Sequence, residues 1–308
     1  MIYKKIMEKF LWPKFMNDFR CFDHPLGKSL DLKLLDKMLA GFDPKRPVIT
    51  TLLSKAYLEV GKLWLSNIGK IPRTQFILFV IDQETLSFSA SLGLKINTIP
   101  LTVPSIIDHD FISNIGFGSE GLLITSAKFP IVKYIIEQGF DVIFSDIDAL
   151  LLRPIPNKDL QNVDFAFQRV IYHPKFVVDQ WGFAICTGFL FFKRSSSVIK
   201  ILADAIRFHK IVYCDQLALN LAVFKNGAIW ELPYMLNGMQ NDKNIFTTHA
   251  GFEISGKIPS LKLRLKALPA TTYYRNNIVE LQLNNIIIFH PNSPKDGIEK
   301  LKTLTAFY

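Results

Sequence analysis

Two carboxylates, Asp146 and Asp148, stand one residue apart in "GFDVIFSDIDALLLRPIP" (residues 139–156), just after a β-branched and aromatic apolar run. A lone ionised carboxylate is costly to bury, so a pair at the end of a buried strand needs a partner: an arginine, a metal ion or water. On an extended segment, residues i and i+2 point the same way and both carboxylates reach one site. Oxygen ligands at that spacing suit a hard divalent cation such as Mg²⁺ or Mn²⁺, which completes its shell with water and substrate phosphates. An imidazole ligand tilts the choice towards Mn²⁺. His290, closing "NNIIIFH", is the candidate among six histidines, because it also ends a buried apolar run. Asp82, closing "FILFVID", is placed in the same way.

Alternating strands and helices must hold these residues. Residues 1–45 read as a helical amino-terminal extension, with "SLDLKLLDKMLAGF" capped by Ser29 and stopped at Gly41. Residues 46–308 read as one domain. "PVITTLL" reads as a strand, "SKAYLEVGKLWLSNIG" as a helix ending at Gly69, and "FILFVID" as a second strand. "TSAKFPIVKYIIEQG" reads as a helix from Thr125 or Ser126 to Gly139, leading directly into the strand "FDVIFSD". Further strands fit "DFAFQ", "ICTGFLFFK", "GAIWEL" and "NNIIIFH", and further helices fit "SSSVIKILADAIRF" and "DQLALNLAVF". The early strands are continuous apolar runs, the pattern of strands covered on both faces. The expected fold is α/β: one Rossmann-like domain whose mixed, mostly parallel sheet is flanked by helices. In such sheets ligands bind beyond the carboxyl ends of the strands.

With 49% hydrophobic and 20% charged residues, the chain of 308 is a folded one rather than a disordered one. Its 36 Lys and Arg against 27 Asp and Glu leave a net charge of +9, which favours an anionic partner. No arginine-rich run interleaved with aromatics and no nucleic-acid motif is present, so no nucleic acid is expected as that partner. Three scattered cysteines, Cys21, Cys186 and Cys214, make neither a disulfide framework nor a zinc site. With no Asn-X-Ser/Thr sequon, they agree with a reducing, cytoplasmic compartment. The basic, amphipathic "MIYKKIMEKFLWPKFMNDF" either lies on an anionic membrane surface, as a peripheral contact, or packs against the domain.

"FSDIDALLLRPIP" resembles the Asp-X-Asp segment of nucleotide-diphospho-sugar glycosyltransferases of the type-A (GT-A) fold. In that family a helix with a basic residue precedes the motif, and here Lys128 stands eighteen residues before Asp146. The family then has an Asn-[Ala/Thr]-Gly strand, an Asp-Gln followed by Leu-Asn, and a histidine segment with a following lysine. This chain has "ICTGFLFFK", "CDQLALN" and "FHPNSPKDG" in that order, so the resemblance spans about Val48 to Gly297. It is most similar to the plant rhamnogalacturonan xylosyltransferases and arabinosyltransferases, and more distantly to the glycogenin and lipopolysaccharide galactosyltransferase group.

The resemblance implies a retaining transfer from a nucleotide-sugar donor, a UDP-sugar, to a carbohydrate or glycan acceptor, with Mn²⁺ or Mg²⁺. It implies Asp148 and His290 as metal ligands, with Asp146 at the ribose and at the metal. Lys128 and Lys295 are implied at the diphosphate or donor sugar, and Thr50 and Thr51 near the nucleobase. Gln168, ending "DFAFQ", and Gly188, in "ICTGFLFFK", complete the donor-binding set. Asp215 and Gln216 are implied beside the anomeric carbon. Two departures leave the donor sugar open: Cys186 replaces the family asparagine, and Ser293 stands where the glycogenin group has glycine.

Two other readings compete. A haloacid-dehalogenase-type phosphohydrolase also places Asp-X-Asp after an apolar strand. It normally has a small hydroxyl residue two positions on, where this chain has Leu150, and a later Gly-Asp-X-X-X-Asp motif that is missing here. The other is a basic, membrane-associated binding module whose aspartates merely cap or pair. Nucleotide-dependent thermal stabilisation that requires Mn²⁺ separates it from the enzyme reading.

Overall fold

The apolar runs become twelve strands: β1 (Val48–Leu53), β2 (Gln75–Val80), β3 (Thr98–Pro100), β4 (Val142–Ser145), β5 (Leu150–Leu151), β6 (Phe165–Val170), β7 (Ala184–Phe192), β8 (Ile229–Glu231), β9 (Ile254–Ile258), β10 (Leu263–Ala267), β11 (Tyr273–Tyr274) and β12 (Ile288–Phe289). They come from a computed structural model that describes residues 30–92, 98–101, 119–231, 251–275, 285–292 and 297–305. Nine strands form one sheet in the order β3-β2-β1-β4-β7-β6-β10-β9-β8. β7 and β9 run against the other seven, so the sheet is mixed but mostly parallel in direction. A second small sheet is ordered β11-β12-β5.

Side-chain alternation along the covered strands supplies two cores. On β1, Val48 and Leu52 join one cluster and Ile49 and Leu53 the other. Helices α1 (Leu32–Leu39), α4 (Ser119–Glu137), α7 (Ser196–Val212) and α8 (Asp215–Lys225) contribute to the first. Helix α2 (Leu58–Lys70), the small sheet and α9 (Gly297–Thr305) contribute to the second. Three further α-helices, α3 (Gln83–Ser91), α5 (Asn157–Leu160) and α6 (Lys175–Trp181), complete the described set. Every residue of β1, β4, β6 and β7 is buried, as expected of strands covered on both faces.

Local chemistry moves some element ends. Helix α4 begins at Ser119, upstream of the expected Thr125 or Ser126, and carries Pro130 inside it. Helix α1 is capped by Asp31, whose carboxylate accepts from the Leu34 N–H at 3.0 Å; Ser29 lies outside the described residues. Gly69 does not end α2, which runs one residue further to Lys70. Asp82 caps α3, accepting from the N–H of Thr85 at 2.7 Å and from that of Lys55 at 2.9 Å. The described part of the extension packs through Leu30, Leu35 and Leu39 into the first core. The basic segment 1–29 lies outside the described residues, and no described helix is long and apolar enough to cross a membrane.

One buried histidine on α7 sets an acid limit on stability. His209 is 6% exposed, and its Nε2 has no hydrogen-bond partner among the described residues. Burial pushes its pKa down to about 4, with Lys128 adding and Asp215 opposing. Above pH ~6.5 both folded and unfolded forms are neutral and nothing is lost. As pH falls from there towards 4, the unfolded chain takes a proton that the folded one refuses. The expected loss is on the order of 3 kcal/mol. Urea denaturation of the wild type and His209→Phe between pH 7 and 4 should show this slope in the wild type only.

Candidate active site

The main-chain path after β4 brings the two aspartates together on a turn rather than on an extended segment. The Asp146 N–H donates to Gly188 O at 2.7 Å, and the Ala149 N–H closes the turn onto Asp146 O at 2.9 Å. The Ser145 hydroxyl braces it, donating to Ala149 O at 2.7 Å and accepting from Trp64 Nε1 at 3.4 Å. The two carboxylates therefore have different neighbours. Asp146 meets Lys128, with Oδ1 2.9 Å from its Nζ. Asp148 meets His290 and Lys300.

Sheet register explains how distant segments converge. In the small sheet Leu150 pairs with Phe289, antiparallel, and Tyr274 pairs with Phe289, parallel. That sets Asp148, just before β5, against His290, just after β12, and sets Arg275 beside both. Because β7 runs against β4, its early residues Cys186, Thr187 and Gly188 lie at the carboxyl end of β4. Gly188 is needed there: a Cβ would stand 1.8 Å from His290 Cε1.

The environment of His290 fixes its tautomer. Gln168 is fully buried, and its Nε2 donates to Tyr274 O at 2.7 Å. Turning the amide over would set two acceptors face to face there, so Oε1 must be the atom 3.1 Å from His290 Nδ1. It accepts the Nδ1 proton. Burial and the charge of Arg275 push His290 down to about 4, with Asp148 opposing, so the ring is neutral at pH 7. Its Nε2 then turns a lone pair towards Asp148 Oδ1, 3.2 Å away. Burial disfavours the Asp148 charge, but the neighbouring cations Lys300 and Arg275 oppose it and hold the carboxyl below the ordinary range.

Asp148 Oδ1 and His290 Nε2, 3.2 Å apart, are close enough for both to reach one ion. Ligand atoms of Asp146, Asp148 and His290 all lie within 4.8 Å of one another. The residues fit a divalent cation.

The second half of the site is organised by Lys128, from the buried face of α4. Its ammonium is 2.9 Å from Asp146 Oδ1 and 2.5 Å from Asp215 Oδ2, and it donates to Thr187 O at 3.2 Å. The face of Phe144 lies under it at 4.7 Å. Burial works against the Lys128 charge, but the two carboxylates hold its pKa above the ordinary lysine value. Burial likewise opposes the Asp215 charge, and Lys128 holds it below the ordinary value. Asp146 keeps a pKa raised to about 6 by burial, with Lys128 opposing, so it too is ionised at pH 7.

Asp215 is the first residue of α8, and the preceding Cys214 makes no side-chain cap bond, so Asp215 is not the helix's N-cap. Gln216 donates its Nε2 to His173 O at 2.6 Å. Asn220, one turn later, pins α8 to β7 by accepting from Ile185 N at 2.9 Å and donating to Ile185 O at 2.8 Å.

The remaining sequence candidates differ in their placement. Thr50 and Thr51 are interior residues of β1, fully buried, because the strand continues through Leu52 and Leu53 before it reaches the site end. Gln168 has both amide ends engaged, as described. Lys295 lies outside the described residues. Two contributors carry no local sequence signal. Lys300, 2% exposed on α9, places Nζ 3.0 Å from Asp148 Oδ2 and donates to Pro291 O at 2.7 Å. Arg275 donates through Nη1 to His290 O at 3.2 Å and through Nε to Cys186 Sγ at 3.1 Å. Cys186 Sγ in turn lies 3.9 Å from His290 Nδ1, so the residue replacing the family asparagine packs on the histidine.

A family model described as nucleotide-diphospho-sugar transferase matches residues 73–304. The β-arabinofuranosyltransferase RAY1 of Arabidopsis thaliana is 28% identical over 134 residues, 43% of this chain. The match spans about a quarter of that relative's length, 24%. Among solved structures, the galactosyltransferase LgtC in complex with donor and acceptor sugar analogues aligns over 84% of this chain and 95% of its own, at 12% identity and TM-score 0.46. Mouse xyloside xylosyltransferase 1, in its apo form, aligns over 58% of this chain and 82% of its own, at 13% identity and TM-score 0.37.

Proposed function

The chain belongs to the nucleotide-diphospho-sugar transferase family, and from that premise we propose that it moves a sugar from a UDP-sugar to a carbohydrate acceptor, using Mn²⁺ or Mg²⁺ and retaining the anomeric configuration. The observation that carries this reading is the convergence of Asp146, Asp148 and His290 at the carboxyl end of the sheet, with ligand atoms within 4.8 Å of one another. A divalent cation held by these three residues supplies Lewis-acid stabilisation of the negative charge that grows on the leaving diphosphate.

The chain's own residues do the rest. Lys128 ties Asp146 to Asp215, so one buried ammonium fixes the carboxylate on the donor side relative to the one at the proposed reaction centre. Gly188 leaves room for the His290 ring, and Gln168 holds the ring with Nε2 free to ligate. Asp215 and Gln216 open α8, whose amino end carries partial positive charge. In this reading Asp215, kept ionised by Lys128, and the Gln216 amide face the anomeric carbon and stabilise its oxocarbenium-like charge. Retention follows if the acceptor hydroxyl attacks from the side of the leaving group, or if Asp215 forms a short-lived adduct. The net charge of +9 favours capture of an anionic donor.

The test is the pair Asp215→Asn and Gln216→Ala, assayed for UDP release from UDP-sugars with and without acceptor sugars. Each should lose about two orders of magnitude in turnover, and Gln216→Ala should melt near the wild type. Near-normal rates in both variants would remove these residues from the reaction centre.

A further inference from the structure

Among the described residues, the formal charges of the site cancel before any ligand arrives. Asp146, Asp148 and Asp215 bring three negative charges, and Lys128, Lys300 and Arg275, packed among them and the His290 carbonyl, bring three positive ones. An uncompensated acidic pocket would concentrate divalent ions from solution. A balanced one does not, because a cation added alone leaves two buried positive charges with no partner. A sugar-linked diphosphate carries two negative charges and restores the balance.

Lys300 is built into this arrangement and is not a surface lysine folded inward by chance. Helix α9 starts with Gly297 seated on the carbonyl of Ala56, where a Cβ would stand 2.0 Å from the oxygen. That contact fixes the start of the helix. One turn on, Lys300 is buried, with Nζ bonded to Asp148 Oδ2 and to Pro291 O. Arg275 is held by the neighbouring strand end at His290 O and Cys186 Sγ. Neither residue belongs to the Asp-X-Asp, Asp-Gln or histidine motifs.

We propose that Lys300 and Arg275 are positioning residues that neutralise the metal-ligating side in advance, so that the divalent cation and the nucleotide diphosphate bind as a pair and neither binds well alone. The inference rests on the sugar-nucleotide reading above. Lys300 also leaves Asp148 only Oδ1 to offer, the oxygen that faces His290.

The experiment is Mn²⁺ binding by electron paramagnetic resonance of the free ion, at pH above 7, with and without UDP or GDP. In the wild type UDP should tighten Mn²⁺ binding by about tenfold or more, and Mn²⁺ should tighten UDP binding by the same factor. Lys300→Met should tighten Mn²⁺ binding without nucleotide, weaken UDP binding in the presence of Mn²⁺, and cut the coupling by about tenfold. Lys300→Arg keeps the charge and should keep the coupling. A lysine with a merely structural role would instead weaken both ligands together when lost. The wild-type coupling needs no substitution, so a variant that fails to fold leaves the proposal open to refutation. Unchanged coupling in Lys300→Met overturns this inference and leaves the transferase reading standing, whereas equal Mn²⁺ affinity with and without nucleotide overturns it together with the metal's proposed role at the diphosphate. Absence of any nucleotide binding with Mn²⁺ present removes both.

Discussion

Replacing Lys128 by methionine is expected to destabilise the protein by about 3–5 kcal/mol, the cost of breaking a buried ion pair from one side. The ammonium is 2% exposed and contacts both Asp146 and Asp215. Methionine fills much of the space but leaves two carboxylates in low dielectric with no cation between them. The loss should be largest at neutral pH and shrink as pH falls, because protonation removes the uncompensated charges. Urea denaturation at pH 7 and pH 5, wild type against variant, measures both effects. A loss below about 1 kcal/mol would mean the pair is worth no more than a surface one.

The second large effect is on catalysis. Asp148→Asn and His290→Ala should each lower metal-dependent turnover by about two to three orders of magnitude, and should abolish thermal stabilisation by Mn²⁺ with UDP. Gly188→Ala offers an independent route to the same outcome. Its Cβ would meet His290 Cε1 at 1.8 Å and Nδ1 at 2.4 Å, so the ring must leave its place although every ligand residue is still present. Full activity in either ligand variant, with the fold intact by circular dichroism, would remove that residue from the metal site.

What the sequence shows and what it hides divide along physical lines. Asp146, Asp148 and His290 were legible as polar residues following buried apolar runs, and Lys128 and Asp215 through the family resemblance; the fold brings all five together. The local shape between the aspartates was not legible. An extended i, i+2 relation was expected, and a turn closed by Ala149 replaced it. Asp82 matched the pattern of a site residue but is a helix cap, satisfied by N–H groups of Thr85 and Lys55. The resemblance puts Thr50 and Thr51 near the nucleobase; in the fold they are buried interior residues of β1, two positions short of the strand's carboxyl end.

Lys300 and Arg275 illustrate the opposite failure. Each is an ordinary basic residue in sequence, and only tertiary register brings it to Asp148 or His290. Strand direction was equally hidden. Nothing in "ICTGFLFFK" says that it runs against its neighbour, yet that reversal is what sets Thr187 and Gly188 at the site.

The central claim is that Asp146, Asp148 and His290 hold a divalent cation that acts on a nucleotide-diphosphate sugar. Its most direct test is proton NMR of the wild type turning over UDP-sugars, followed from the first minutes, with Mn²⁺ and then with excess EDTA. The account predicts that the first product keeps the anomeric configuration of the donor, and that EDTA stops the reaction until Mn²⁺ is restored. Turnover that continues unchanged in EDTA, or a first product with inverted configuration, would contradict it.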